Sequence, residues 1–224
     1  MGNVHRLIAF DLDGTLVDSR RDLADSANDL LEELGAARLP EDAIGRMIGE
    51  GAKLLVERAL TASGLPYVPE RLARFLAIYD TRLLNHTRPY PGIEEVVRVA
   101  RKHAAVSVLT NKGRRPSISI LEGLGMRDLF EEVIGGDGPL PRKPDPASLL
   151  ALMDRAGASP STTLLVGDSP IDHETAHRAG ARCCLAAYGF GYERFTADRL
   201  PPDEWVVQEP AGIIEVIERF VDAE

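Results

Sequence analysis

Residues 7–15 read LIAFDLDGT, an apolar run that ends in two aspartates and a glycine. Side chains i and i+2 of a strand point to the same side. If the apolar run is a buried strand, Asp11 and Asp13 leave the sheet edge together before Gly14 lets the backbone turn. Two carboxylates this close repel each other, so they need a cation or a shared proton. The stretch therefore predicts an active site at the end of the first strand.

Five further short runs of β-forming residues follow, with helical patterns between most of them. They are residues 106–109, 133–134, 164–166, 183–185 and 206–207. Strands that alternate with helices are typical of an α/β fold with a parallel sheet. Gly125, Gly157 and Gly180 are the expected ends of three of the helices. The expected fold class is thus α/β, built on a parallel sheet.

Residues 17–88 interrupt this alternation, because only helical patterning lies between the first and second predicted strands. One apolar stripe runs from Leu23 to Leu34 and another from Leu72 to Leu83, both at three- and four-residue spacing. We interpret both stripes as core rather than as ligand contacts. The predicted division is a core domain of residues 1–16 and 89–224 and a helical cap domain of residues 17–88.

The composition describes a globular chain of 224 residues, 44% of them hydrophobic. We expect neither a membrane span nor a signal peptide, because no apolar run approaches roughly 20 residues and the N-terminus leads straight into the first strand. Cys183 and Cys184 are neighbours, which suits buried thiols better than a disulfide within the chain. The net charge of −9 argues against nucleic acid as a partner. The expected protein is cytoplasmic, a monomer or a homodimer.

Polar side chains follow four of the predicted strands. In chain order they are Asp11 and Asp13, Thr110 and Asn111, Lys143, and Asp168 and Asp172. Ligands of open parallel sheets bind beyond the carboxyl ends of the strands. Mg²⁺ is commonly held by one or two carboxylates, with water and phosphate completing its octahedron. Since hydroxyl, amide and ammonium groups donate to phosphate oxygens, the set predicts a magnesium site that receives a small phosphorylated metabolite.

Four segments resemble, in order and spacing, the motifs of the haloacid dehalogenase-like phosphohydrolases. They are DLDGTLVDS at 11–19, VLTN at 108–111, RKPDP at 142–146 and GDSPID at 167–172. Residues 17–88 resemble the helical cap of that family. The resemblance spans nearly the whole chain, and it implies a Rossmann-like parallel-sheet core with the cap inserted after the first strand.

The resemblance implies that Asp11 attacks phosphorus and forms an aspartyl-phosphate. Asp13 would be the general acid and base, protonating the leaving oxygen and later activating water. A dehalogenase releases halide and has no need of an acid at that position. The pattern therefore favours hydrolysis of a phosphate ester.

The same resemblance implies the magnesium and phosphate ligands. Mg²⁺ would be bound by the carboxylates of Asp11 and Asp168 and by the backbone carbonyl of Asp13, with Asp172 acting through water or orienting the other ligands. The groups implied to hold phosphate oxygens are Thr110, the backbone of Asn111, and Lys143. Mg²⁺ is accordingly the expected cofactor.

Two further segments look most like the phosphoglycolate phosphatase branch of the family. They are IGEGA at 48–52 and RPYPG at 88–92. The branch implies a phosphoglycolate-like substrate. In related capped enzymes the cap meets the leaving group, so Arg46, Glu50 and Lys53 are candidate specificity residues. A solvated helix face explains these three residues equally well.

Several related activities use much of the same core, so a phosphomutase, a pyrophosphatase and a phosphonoacetaldehyde hydrolase stay open as alternatives. The last of these forms an imine with a cap lysine, and Lys53 is the only lysine between residues 17 and 88. A protein that only senses a phosphorylated ligand is a further alternative. Retention of Asp11, Asp13, Lys143 and Asp168 favours an enzyme instead.

A different chemistry is suggested by HETAH at residues 173–177, which fits the zinc metallopeptidase pattern of two histidines around a glutamate. The longer zinc motif expects a third histidine where this chain has Cys183. The predicted helix also begins directly after Asp172, at the proposed phosphatase site. A zinc peptidase is therefore the remote alternative.

Overall fold

The computed structural model of the protein describes residues 5–195 and 204–222. The strands in this part of the chain are β1 (Leu7–Phe10), β2 (Val17–Asp18), β3 (Arg88–Pro89), β4 (Ala105–Leu109), β5 (Glu132–Ile134), β6 (Thr163–Gly167), β7 (Arg182–Ala186) and β8 (Trp205–Val207). The α-helices are α1 (Arg20–Glu33), α2 (Glu41–Gly45), α3 (Ala52–Ala62), α4 (Pro69–Asp80), α5 (Ile93–Ala100), α6 (Arg114–Gly123), α7 (Ala147–Ala156), α8 (Pro170–Ala179) and α9 (Gly212–Asp222).

Strand β1 lies inside a parallel six-stranded sheet of order β5-β4-β1-β6-β7-β8. Ala9 is in register with Ser107 of β4 on one side and with Leu165 of β6 on the other. All four residues of β1 are buried, as expected of a parallel strand covered on both faces. The six strands coincide with the six predicted runs, and the α/β fold class is confirmed.

Four helices, α1 to α4, lie between β2 and β3. These two short strands pair antiparallel, with Val17 opposite Pro89 and Asp18 opposite Arg88. The helical pattern of this region was predictable, but the ribbon was not, because two residues per strand are too few to show an alternation. The ribbon brings the two ends of the helical insertion together beside the sheet.

Hydrogen bonds of Asp22 also connect the two ends of the helical insertion. Asp22 lies fully buried in the first turn of α1. Its carboxylate accepts the backbone N–H of His86 at 2.9 Å, the N–H of Thr87 at 2.7 Å and the Thr87 hydroxyl at 2.7 Å. A buried carboxylate with several donors is well satisfied. The start of the insertion is thereby tied to the segment that leaves it.

We expect Asp22→Ala to lower the free energy of unfolding by about 2–4 kcal/mol, because the buried donors of His86 and Thr87 lose their acceptor. Denaturant titration measures the change. Asp25→Ala in the same helix is the control, since its ion pair with Arg38 is partly exposed and contributes less than about 1 kcal/mol. Equal losses in the two variants would contradict the role given to Asp22.

Two further sequence expectations concern β7 and the helices. Cys183 and Cys184 are both buried, and both are free thiols. Within residues 5–195 and 204–222, no helix combines the length and the apolar character that a membrane crossing requires.

Candidate active site

Asp11 follows β1 directly, and its N–H donates to the Val166 carbonyl at 2.9 Å, which continues the pairing with β6. The chain then turns at Gly14, where φ is +93° and a Cβ atom would lie 1.9 Å from Asp168 Oδ2. Any other residue would be strained there and would clash with Asp168. Gly14 therefore brings the carboxylates that follow β1 and β6 to the same point on the sheet edge.

Lys143 forms ion pairs with an aspartate of the DLDGTLVDS segment and with an aspartate of the GDSPID segment. Its ammonium lies 2.9 Å from Asp11 Oδ1 and 2.5 Å from Asp172 Oδ1, and it is almost completely buried. Burial opposes the charge on Lys143, but Asp11 and Asp172 outweigh it and hold its pKa above the ordinary value. The cation predicted from the opening stretch is thus in place beside Asp11.

Three buried carboxylates, those of Asp11, Asp168 and Asp172, offer oxygens within 4.8 Å of one another. Burial raises the pKa of Asp11 to about 6, with Lys143 opposing the rise and Asp172 adding to it. Burial likewise raises the pKa of Asp168, and the neighbouring charges of Asp172 and Asp11 add to the effect. Three carboxylates thus share one ammonium, and protons or a further cation must balance the remainder.

The donor set suits Mg²⁺. Asp172 is already engaged, because Lys143 contacts its Oδ1 and Ser169 donates to its Oδ2 from the hydroxyl at 2.6 Å and the backbone at 3.1 Å. Among the described residues, Asp11 contacts Lys143 through one oxygen and Asp168 accepts the N–H of Gly191 through one oxygen, so each has a further oxygen for an ion. Mg²⁺ commonly takes one or two carboxylates from a protein when phosphate and water supply the rest, and Asp11 and Asp168 provide two.

Asp13 is held by two residues that the sequence analysis did not single out. The Ser19 hydroxyl donates to Asp13 Oδ1 at 2.5 Å, and the Lys112 ammonium donates to both carboxylate oxygens at 3.0 and 2.9 Å. Burial opposes the charge on Lys112, but Asp13 outweighs it and the pKa of Lys112 is raised. Lys112 directly follows the VLTN segment, and this adjacency is the one signal that could have identified it.

Thr110 and Asn111 follow β4 and are buried. The Thr110 hydroxyl oxygen accepts the N–H of Lys112 at 3.2 Å, so its own hydrogen can be donated to a ligand. The Asn111 side-chain amide donates to the carbonyls of Gly49 at 3.1 Å and Lys143 at 2.9 Å. Asn111 therefore connects the helical insertion to the loop that carries Lys143.

A segment after β7 reaches both the carboxylate cluster and the insertion. The N–H of Gly191 donates to Asp168 Oδ2 at 2.7 Å. Three residues later, the Arg194 guanidinium donates to the Ile48 carbonyl at 2.9 Å and to Glu50 Oε1 at 2.8 Å. No motif announces this segment in the sequence, because its role depends on how the loop packs.

A cavity of about 300 Å³ lies between the helical insertion and the sheet edge, and Asp11 and Asp13 line it. From the insertion, apolar residues contribute a wall: Leu23, Leu55, Leu72, Phe75, Leu76 and Tyr79. The second apolar stripe is core as expected, since Phe75 and Tyr79 are buried in the core cluster, and part of it also borders this cavity. Its period shows that α4 has one apolar face, but this face borders a cavity as well as the core.

The three candidate specificity residues differ in their surroundings. Lys53 lines the cavity and lies 3.6 Å from Glu57, while Arg46 is exposed. Glu50 is paired with Arg58 at 2.5 Å and with Arg194 at 2.8 Å. Burial opposes ionisation of Glu50, but the two arginines outweigh it and its pKa lies below the ordinary value. Glu50 thus contributes to the contact between insertion and core.

The HETAH segment lies within α8. His173 Nε2 is 3.1 Å from Glu204 Oε1, and the rings of His173 and His177 stack with centroids 6.3 Å apart. In the described part of the chain, the aspartate cluster is the one group of three or more potential ligands close enough to share an ion. The zinc alternative is not favoured.

Comparison with known proteins identifies the family. The model of the haloacid dehalogenase-like hydrolases matches residues 8–186, most of the chain and all four motif segments. The chain belongs to this family, and the resemblance seen in the sequence is confirmed.

Within the family, the chain is similar to phosphoglycolate phosphatases. It is 43% identical over 197 residues to the phosphoglycolate phosphatase of Rhodospirillum rubrum, covering 84% of this chain and 82% of the relative. It is 35% identical to that of Mannheimia succiniciproducens, covering 97% and 100%. The crystal structure of a predicted phosphoglycolate phosphatase from Haemophilus somnus matches with a TM-score of 0.87 and 32% identity, covering 95% and 97%. The chain is a phosphoglycolate phosphatase-like phosphoric monoester hydrolase.

Proposed function

We propose that the protein is a Mg²⁺-dependent phosphatase that hydrolyses phosphoglycolate, or a small phosphate monoester like it, through an aspartyl-phosphate. The observation that carries this proposal is the arrangement at one sheet edge of Asp11, Asp13 and Lys143 beside the cavity. It supplies a nucleophile, a proton carrier and a cation together. The relatives named phosphoglycolate phosphatase support the choice of substrate.

In the first half-reaction, a carboxylate oxygen of Asp11 attacks phosphorus as the bond from phosphorus to the ester oxygen breaks. Asp13 donates a proton to the departing oxygen, so the alcohol leaves neutral. Lys143, 2.9 Å from Asp11 Oδ1, fixes the nucleophile and offsets the charge of the phosphoryl group. Thr110 and the backbone of Asn111 hold the remaining phosphate oxygens.

In the second half-reaction, Asp13, now ionised, takes a proton from water, and the water oxygen attacks phosphorus of the aspartyl-phosphate. The bond between phosphorus and Asp11 breaks, which restores the Asp11 carboxylate and releases inorganic phosphate. Ser19 and Lys112 hold the Asp13 carboxylate in one position through both steps.

Asp11, Asp168 and the Asp13 backbone carbonyl are the proposed Mg²⁺ ligands, with Asp172 orienting the site through Lys143 and Ser169. When bound, the ion neutralises carboxylate and phosphate charge and allows the anions to approach each other.

Mg²⁺ is expected to raise the melting temperature by about 2–4 °C more at about pH 7.5 than at about pH 5.5. The pKa of Asp11 is raised to about 6 and that of Asp168 is raised as well. Below these pKa values the folded protein holds protons that the ion must displace, whereas above them ionised carboxylates repel one another until the ion binds.

Thermal denaturation with and without MgCl₂ at the two pH values measures this effect. Asp168→Asn should abolish the Mg²⁺-dependent shift, while Asp145→Asn should retain it, because the Asp145 carboxylate accepts the N–H of Ala147 at the start of α7 and is not part of the cluster. A shift of the same size at both pH values would contradict the assignment of raised-pKa carboxylates as ligands.

The proposed function is tested by Mg²⁺-dependent phosphate release from phosphoglycolate, sugar phosphates, nucleotides, pyrophosphate and phosphonoacetaldehyde. We expect the highest kcat/KM with phosphoglycolate. A preference for pyrophosphate, isomerisation of a sugar phosphate, or an imine with phosphonoacetaldehyde trapped by borohydride at Lys53 would overturn the proposal in favour of the corresponding alternative.

We also propose that residues 17–88 act as a cap that closes over the substrate, and that residues 1–16 and 89–224 form the catalytic core. The contacts of Asn111 and Arg194 with the 48–50 loop support this division. The proposed setting is the cytoplasm, with a small phosphorylated metabolite as the partner, neither nucleic acid nor membrane, and a monomeric or homodimeric assembly.

A further inference from the structure

Lys112 is a cavity-lining cation whose bonding capacity is only partly used. Its ammonium gives two hydrogen bonds to Asp13, and an ammonium has three N–H groups to donate. On its other side, Lys112 Nζ lies 4.6 Å from the centroid of the Tyr79 ring. A ring face is a weaker partner than an anion. The N–H of Lys112 that faces Tyr79 can therefore turn to an anionic partner while the other two stay with Asp13.

Tyr79 supplies a second donor at the same place. Its side chain comes from α4 of the helical insertion and lines the cavity beside Lys112. The Tyr79 hydroxyl is buried and interacts with the Lys112 ammonium, which can only donate to its oxygen, so across the described residues the hydroxyl hydrogen has no acceptor. Burial raises the pKa of Tyr79 to about 12 despite the nearby charge of Lys112, so the phenol keeps its proton. A buried hydroxyl in this state is expected to have a ligand as its partner.

Two other acids that line the cavity, Asp80 and Asp137, are engaged elsewhere. The Asp80 carboxylate pairs with Arg115 at 2.6 Å, and Asp137 accepts the N–H of Arg114 at 2.8 Å. These acids therefore do not compete for the remaining N–H of Lys112.

We propose that Lys112 and the Tyr79 hydroxyl together form a binding site for an anionic group on the leaving side of the substrate, specifically a carboxylate. This inference rests on the proposed function and names the part of the substrate that the enzyme selects. It makes Lys112 and Tyr79 specificity residues in addition to the supporting role of Lys112 toward Asp13.

The position of Lys112 matches the chain length of phosphoglycolate. The ester oxygen that receives a proton from Asp13 must come within about 2.7 Å of that carboxylate. Lys112 Nζ lies 2.9 Å from Asp13 Oδ2, so the ammonium and the ester oxygen are both neighbours of the same carboxylate. In phosphoglycolate a single CH₂ separates the ester oxygen from the carboxylate, so the carboxylate oxygens can reach an ammonium that sits beside the acid. A longer spacer would carry the anion past it.

Ethyl phosphate tests the site, because it has the same two-carbon chain with a methyl group in place of the carboxylate. The measured quantity is the ratio of kcat/KM for phosphoglycolate to kcat/KM for ethyl phosphate. We expect Lys112→Met to lower this ratio by about ten- to a hundredfold and Tyr79→Phe to lower it by about fivefold. Lys102→Met, at an exposed lysine, should leave the ratio unchanged.

The ratio separates anion binding from support of Asp13. If Lys112 only positions Asp13, Lys112→Met slows both substrates equally, and an unchanged ratio would overturn the inference. Thermal denaturation identifies a variant that has lost its fold. If Lys112→Met does not fold, the same ratio is measured with Tyr79→Phe, which keeps the ring and removes only the hydroxyl. An unchanged ratio in that variant would overturn the proposed carboxylate site.

A binding measurement keeps the inference separate from the proposed function. Calorimetry with phosphoglycolate compares Asp11→Asn, which does not turn over substrate, with Asp11→Asn/Lys112→Met. We expect the double variant to bind about ten- to a hundredfold more weakly. If the wild-type enzyme does not hydrolyse phosphoglycolate but this difference is present, the proposed function fails and the anion site stands. If hydrolysis is present and the affinities are equal, the anion site fails alone.

Discussion

Asp11→Asn is expected to reduce phosphate release by about 10⁴-fold or more while leaving the fold intact. An amide oxygen in place of the carboxylate is a poor nucleophile, and it forms no stable phosphoryl ester. The change is nearly isosteric, and it removes a buried negative charge that the folded protein disfavours, because burial raises the pKa of Asp11 to about 6. Phosphate release is the first measurement, and thermal denaturation should show stability that is equal or higher.

The covalent step is examined by acid quenching of the enzyme during turnover, followed by intact mass measurement. We expect a phosphorylated form with the wild type and none with Asp11→Asn. Asp145→Asn is the matched control, an aspartate of the RKPDP segment that is bonded to Ala147 away from the cavity. Normal turnover by Asp11→Asn would refute the assignment of the nucleophile.

Asp13→Asn is expected to lower kcat/KM for phosphoglycolate by about 10²–10⁴-fold, the usual contribution of a general acid. The amide oxygen still accepts from Ser19 or Lys112, so the loop keeps part of its support. A substrate with a good leaving group, p-nitrophenyl phosphate, needs no proton and should transfer its phosphoryl group to Asp11 nearly as before. Hydrolysis of the aspartyl-phosphate lacks its base and becomes slow.

Rapid-mixing kinetics with p-nitrophenyl phosphate should therefore show a burst of p-nitrophenol equal to the enzyme concentration, then a slow steady state. Ser19→Ala is the control for positioning, because it removes the 2.5 Å hydrogen bond to Asp13 Oδ1 but keeps the carboxylate. We expect Ser19→Ala to lower kcat/KM modestly with both phosphoglycolate and p-nitrophenyl phosphate and to show no burst. Equal losses with both substrates and no burst in Asp13→Asn would contradict the role of Asp13.

Much of the fold and site could be predicted from the sequence because strand ends share an edge. Each run from 7–10 to 206–207 is a strand of one sheet, and parallel strands place their carboxyl ends together. Asp11, Lys143 and Asp168 are far apart in the chain but meet for this reason. Their meeting required no knowledge of side-chain packing.

What the sequence did not reveal depends on contacts between loops. Ser19, Lys112 and Gly191 hold the reactive carboxylates, yet each is a common loop or helix-start residue whose partner lies elsewhere in the chain. The stripe on α4 shows the same limit, because periodicity identifies an apolar face but not what the face borders. Tyr79 belongs to the core, as its position in the stripe predicts, but only the structure shows that it also borders the cavity.

The segment that begins at Gly191 and ends at Arg194 supports both the carboxylate cluster proposed to bind magnesium and the helical insertion. The N–H of Gly191 donates to Asp168, and the Arg194 guanidinium donates to the Ile48 carbonyl and to Glu50. Coupling between two sites is reciprocal in free energy. If a bound ion stabilises one position of the insertion through this segment, that position of the insertion raises the affinity for the ion by the same free energy. In the described part of the chain Glu50 pairs with Arg58 and Arg194 rather than with the clustered carboxylates, so we expect a substitution of Glu50 to change Mg²⁺ affinity through this segment.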